Sequence, residues 1–131
     1  LPDTRHKLVE EGRFSTTGIL FPVNSYSLLP ESSGVLSEIA AILARNPELK
    51  IKIIGHTDIK IIGHTDSDGN EAANLEMSRK RAAAVKQALV THFNIKSSGI
   101  ESDGAGELQP IDDNKTREGK ANNRRVEFIK L

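Results

Sequence analysis

Cysteine and tryptophan are absent from this chain, and methionine and tyrosine occur once each. The lack of cysteine excludes disulfides, thiolate metal sites and cysteine nucleophiles, and leaves the compartment open. There is no excess of either charge: 18 basic residues meet 18 acidic ones, for a formal net charge of zero. A domain built to grip a polyanion is normally basic, so the balance argues against nucleic acid as a partner. No apolar run approaches the ~18 residues that a membrane span needs, and no secretory leader is visible. The start at Leu1-Pro2, without methionine, reads as a piece of a longer or processed chain whose targeting information lies elsewhere. The 131 residues fit one domain, residues 1–131. A chain of that size buries roughly two thirds of its unfolded surface, enough for a core without covalent staples.

The most conspicuous feature present is a duplication. Ile51 to Asp58 spell IKIIGHTD, and Ile59 to Asp66 spell the same eight letters again. Each copy is a short apolar strand running into a Gly-His-Thr-Asp turn. Only the second continues directly into Ser67-Asp68-Gly69 and a long helical stretch. Either copy can pair as the same strand, because a shift by an even number of residues keeps the inward and outward faces. The second copy is the expected sheet strand, since it preserves the link from strand through turn to helix. The first then lengthens a surface loop at modest closure cost.

Around the duplication the chain alternates strands and helices. Asp3 to Glu10 and Phe14 to Phe21, on either side of Glu11-Gly12, predict an N-terminal β-hairpin extension over residues 1–17, ahead of a core domain over 18–131. Pro22 ends or bulges its second arm, because proline cannot donate to a ladder. A first helix starts near Pro30-Glu31 and carries Val35, Leu36, Ile39, Ile42 and Leu43 on one face until Asn46-Pro47. Leu49, Ile51 and Ile53 alternate with lysines as a strand. A second helix, about Asn70 to Phe93, buries Leu75, Ser78, Ala82, Val85, Leu89 and Phe93. A short strand at Ile100 to Ser102, a loop-rich stretch over Leu108 to Asn122 with at most one helical turn, and a closing strand over Arg125 to Leu131 complete the chain. The fold class is α+β: β-α-β-α-β-β, a mixed sheet with two main helices on one face.

Thr65, Asp66, Ser67 and Asp68 stand just before the second helix, whose N-terminus exposes unpaired N–H groups. Ser67 or Asp68 as a cap and Asp66 as part of a polar ligand site are both open on residue types. Arg81 lies fifteen residues beyond Asp66, and its side chain slants back toward the helix start. A carboxylate and a guanidinium converging on one pocket would suit a zwitterion, with Arg81 holding a carboxylate through paired donors. A surface ion pair is the plainer role for Arg81. His56 and His64 beside Asp58 and Asp66 raise a metal site, but each histidine ends a strand next to glycine, where a hydrogen-bonded structural role fits better; no metal or cofactor is expected. No nucleophilic Ser-His-Asp spacing or phosphate-binding glycine loop is present.

From Gly63 onward the chain reads GHTDSDGNEAANLEMSRKRAAAV, then GAGELQP, then DNKTREGKANNRRVEF. This resembles the OmpA-like C-terminal domain of outer-membrane porin tails, peptidoglycan-associated lipoproteins and flagellar stator proteins, over roughly Gly18 to Leu131. The wording of its loop and tail is most similar to versions from Bacteroidetes. The resemblance implies non-covalent binding of peptidoglycan through the diaminopimelate of its stem peptide, by a module that is not an enzyme. It implies a periplasmic place at the outer membrane, reached through parts absent from this chain. The family's ligand residues carry over to Asp66, with Thr65 beside it, and to Arg81. Phe21 and Asn24 match its Phe-x-x-Asn loop, and Asn74 lies on the approach. Arg124 and Arg125 are expected to organise the fold and the flank of the site. Pro22 departs from the Asp found in many relatives, and Met77 from the usual Leu.

A cell-wall hydrolase is a second class of function, for which no nucleophile or metal set is in view. A protein-interaction or self-association module with an impaired pocket is a third. A looped-out, isoleucine-rich copy offers an edge for a homodimer.

Overall fold

A computed structural model describes every residue except 1, 23, 24, 57–66, 110 and 112–115, and the backbone alone at 2, 3 and 67–71. Along the chain run α1 (Pro2–Arg5), a π-helical turn (His6–Glu10), β1 (Arg13–Thr16) and a 3-10 turn (Pro30–Ser32) that leads into α2 (Ser33–Arg45). Then come β2 (Ile51–His56), α3 (Ser67–Phe93), β3 (Ile100–Gly106), α4 (Arg117–Asn123) and β4 (Val126–Lys130).

The four strands form one mixed sheet in the order β1-β4-β2-β3. β4 pairs antiparallel with both β1 and β2, and β2 pairs parallel with β3. α3 is the crossover between the parallel pair and packs on both strands, and α2 packs on α3. The period-two alternation of β2 puts Ile51 and Ile53 fully inside, where they join Phe128 of β4, Val85 and Leu89 of α3, and Ile39 of α2 in one core. Pro30 opens the α2 region in the first-turn position that suits it. At its end the Asn46 side chain donates to the Ile42 carbonyl at 2.7 Å, and Pro47 cannot extend the ladder. α3 ends at Asn94, which takes the left-handed conformation (φ 58°) as Ile95 N–H turns back to Leu89 O.

α3 lies unusually close to the sheet at one point. A side chain at Gly55 would bring its Cβ within 3.0 Å of the Ser78 carbonyl oxygen, and one at Gly104 would meet Ser78 Oγ and the Arg79 backbone nitrogen. Ser78 uses that proximity: its hydroxyl donates to Leu75 O at 2.8 Å and accepts from Gly106 N–H at 2.9 Å. The glycines of the GHTD and GAG stretches are therefore what lets helix backbone approach strand backbone.

Three expectations are corrected. The N-terminal hairpin does not form, because its first arm is helical. Leu8 and Val9 are adjacent rather than alternating, and Leu8 is fully buried from a helical turn. Gly12 does turn the chain (φ 85°), but Arg13–Thr16 takes β4 as its partner. That strand stops at Thr16, whose Oγ1 accepts from Gly18 N–H at 2.9 Å in a local turn. Second, the sheet strand is the first copy of the repeat, Ile51–His56, and not 59–62. A five-residue connection from α2 carries the chain straight into it, with Leu49 N–H bonded to Asn46 O. The second copy lies outside the described residues. Third, the loop before the closing strand contains α4, two turns long, capped by Thr116 Oγ1 accepting from Gly119 N–H at 2.9 Å.

Candidate functional site

The C-terminal end of β2, the middle of α3, the segment at Leu20–Phe21 and the start of β4 enclose a cleft of about 270 Å³. Each wall is set by local structure. The β2–β3 register shifts by one residue where Gly55 faces Gly104 and His56 faces Gly106, so Ala105 is the extra residue, on β3. His56, two residues on from Ile54, shares the sheet face of Glu127, which pairs with Ile54; its side chain is 1% exposed, with Nε2 3.0 Å from Glu127 Oε1. Glu127 turns its other oxygen to Arg13 Nε at 2.9 Å. A carboxylate facing Nε2 fixes the proton there, so Nδ1 carries the lone pair; Nδ1 has no hydrogen-bond partner among the described residues. Burial, reinforced by the Arg125 charge, pushes His56 below the ordinary histidine range, against the pull of Glu127. The imidazole is neutral near pH 7.

Arg81 rises from α3 into the same cleft. Its guanidinium stacks 4.9 Å from the Phe21 ring centre, donates through Nε to Ser25 O at 2.9 Å, and through Nη2 to Pro22 O at 3.3 Å. Arg81 thus fastens the segment after Phe21 to the helix. Arg124 and Arg125 line the opposite side. Arg125 is buried and spends its donors on Gln109 O (2.9 Å) and Asn123 O (3.4 Å); burial lowers its pKa from the usual arginine value. Three arginines and a neutral histidine line the cleft, with no carboxylate among its described lining residues. An arginine-lined cleft suits an anionic group on a polar ligand.

Of the residues expected to bind ligand, the structure brings Phe21 and Arg81 together at this cleft. Asn74 is on α3, 1% exposed, with Nδ2 unpartnered among the described residues, and is not part of the described lining. Asn24, Thr65 and Asp66 lie outside the described residues. The expected structural histidine is found in His56, and the expected organising role in Arg125. The chain His56–Glu127–Arg13 was not anticipated. His56 and Glu127 are 71 residues apart, and no local pattern joins them.

Comparison with known proteins identifies the surroundings of this cleft. The OmpA family model matches residues 20–124. Outer membrane porin F of Pseudomonas aeruginosa is 44% identical over 109 residues, covering 83% of this chain and 29% of that protein. Outer membrane protein A of Bordetella avium is 40% identical over 109 residues, covering 82% of this chain and 51% of that protein. The chain thus spans about half or less of these relatives. Among solved structures, the peptidoglycan-associated lipoprotein of Burkholderia pseudomallei superposes with a TM-score of 0.72 at 26% identity, covering 89% of each chain.

Proposed function

From the premise that this chain belongs to the OmpA family, we propose that its cleft binds peptidoglycan non-covalently, as an anchor and not as an enzyme. The observation that carries this reading is Arg81, held over Phe21 and tied to the Ser25 and Pro22 carbonyls in an arginine-lined cleft. A planar, pre-oriented guanidinium matches a carboxylate, and the stem peptide of peptidoglycan carries carboxylates. The peptidoglycan-associated structural relative and the outer-membrane sequence relatives support the same reading. The site then lies in the periplasm, joined to the outer membrane through regions like those that make the relatives longer.

The finer assignment is the diaminopimelate of the stem peptide. This residue presents an ammonium beside a carboxylate, so the ligand needs an acid opposite Arg81. We assign that acid to Asp66, with Thr65, Asn24 and Asn74 as further ligand residues. Asp58 is the competitor, since it follows two residues after His56, which lines the cleft. Calorimetric titration with a stem peptide carrying diaminopimelate, against one carrying lysine, tests the assignment. Preference for diaminopimelate, weakened at least tenfold in Asp66→Ala, supports it. Loss in Asp58→Ala alone moves the acid to the first copy. Equal affinity for both peptides removes the diaminopimelate reading, and self-association without peptide binding would favour an interaction module.

A further inference from the structure

The slot that β2 occupies cannot tell the two copies apart. Every side chain that β2 places in it has an identical counterpart eight positions on: Ile59 for Ile51, Ile61 for Ile53, Gly63 for Gly55 and His64 for His56. The demands of the slot are strict. Two isoleucines must be fully buried. The position under Ser78 must lack a Cβ, which would come within 3.0 Å of backbone. The strand end must offer an imidazole to Glu127 at 3.0 Å. Both copies satisfy all of these, and the even offset preserves which face each side chain takes.

We propose that the chain exchanges between two strand registers: Ile51–His56 fills the slot in one, as in this structure, and the identical residues 59–64 fill it in the other. Contacts inside the slot cancel between the two, so its flanks decide: Leu49, which packs on the core just ahead of Ile51, has Thr57 as its counterpart, and the connections differ in length. Here five residues join α2 to β2 and ten join β2 to α3. In the other register the extra eight residues belong to the α2 side. Closure cost grows only with the logarithm of loop length, so that term separates the populations by a factor of only about three, and the packing of Leu49 favours the present register. Exchange moves eight residues from the cleft end of the strand to its opposite end. It leaves Ser78, Glu127 and the slot imidazole unchanged. The connection beside the cleft is long in one state and short in the other, with the core intact in both.

The test is a matched pair of substitutions read by urea denaturation of the full chain. Gly55→Val closes one register and Gly63→Val the other. With exchange, each single variant keeps a cooperative transition, its midpoint falling further in Gly55→Val than in Gly63→Val because Gly55→Val closes the register that packs Leu49; the double variant loses the transition. A Gly55→Val chain that fails to fold beside an unaffected Gly63→Val chain overturns the proposal. A direct readout holds even if the slot tolerates valine. The chain has no cysteine of its own, and Lys52 faces Ile129 across the ladder. Facing Cα atoms about 5.5 Å apart suit a disulfide. Lys52→Cys with Ile129→Cys and Lys60→Cys with Ile129→Cys should both close under mild oxidation. Closure of the first pair alone means a single register and refutes exchange.

Discussion

Replacing Glu127 by alanine removes the acceptor that holds the floor of the cleft together. Two donors converge on this carboxylate: His56 Nε2 at 3.0 Å, on a side chain 1% exposed, and Arg13 Nε at 2.9 Å, on one 63% exposed. The two losses differ in kind. A buried donor left without an acceptor costs about 1–3 kcal/mol. In Glu127→Ala neither ring nitrogen of His56 keeps a partner among the described residues. The exposed arm to Arg13 is screened and contributes about 0–1 kcal/mol. Glu127→Ala should therefore lose about 2–3 kcal/mol, and Arg13→Ala less than about 1. For a chain of this size that separates the melting midpoints by roughly 5–10 °C. Urea denaturation followed by circular dichroism, with the slope checked for constancy, gives both values. If the two variants agree within about 0.5 kcal/mol, the buried histidine link contributes nothing and the reasoning fails.

Gly104→Ala should cost about 2 kcal/mol or more, because its Cβ would fall on Ser78 Oγ and Arg79 backbone nitrogen; an unchanged urea midpoint would show that α3 does not sit so close to the sheet. Stability should fall in mild acid. Burial holds His56 below its ordinary value of 6.5, so the folded chain takes up this proton less readily than the unfolded one. Its contribution is full above pH 6.5 and is lost as pH falls toward the lowered folded value. Replacing both His56 and His64 by glutamine, so that neither copy supplies an imidazole, should flatten that part of the stability–pH curve; a retained slope would assign it to another group. Thr116→Ala removes the acceptor of Gly119 N–H at the start of α4 and should cost about 1 kcal/mol, with earlier amide exchange in Arg117–Asn123 as the local readout.

Periodicity carried most of the fold. The apolar face of α2, the alternation of Ile51 and Ile53, and the Ser78–Ala82–Val85–Leu89 stripe of α3 all lie where spacing put them, since burial on one face is what such spacing encodes. The N-terminus failed for the complementary reason: Leu8 and Val9 are too few to set a period, and packing decided. α4 had a legible start at Thr116, outweighed by the proline, asparagine and glycine around it. The choice of copy was not legible at all. Identical segments have identical propensities, so only their flanks separate them: Leu49, packed on the core ahead of the first copy, and the connection lengths, whose effect is small. At the cleft, the family resemblance named Phe21 and Arg81 separately as ligand residues; that they stack, at 4.9 Å, is a feature of the fold. The His56–Glu127–Arg13 chain depends on tertiary register between β2, β4 and β1, which no local pattern records.

The central claim is that Arg81 makes this cleft a peptidoglycan site. Co-sedimentation of the chain with purified diaminopimelate-type sacculi tests it most directly, run beside Arg81→Ala and Arg81→Lys at matched helicity. Saturable binding without release of muropeptides is expected, at least tenfold weaker in Arg81→Ala and only partly restored by lysine, which keeps the charge but not the planar pair of donors. Equal binding by the parent and Arg81→Ala, or no saturable binding by the parent, would contradict it.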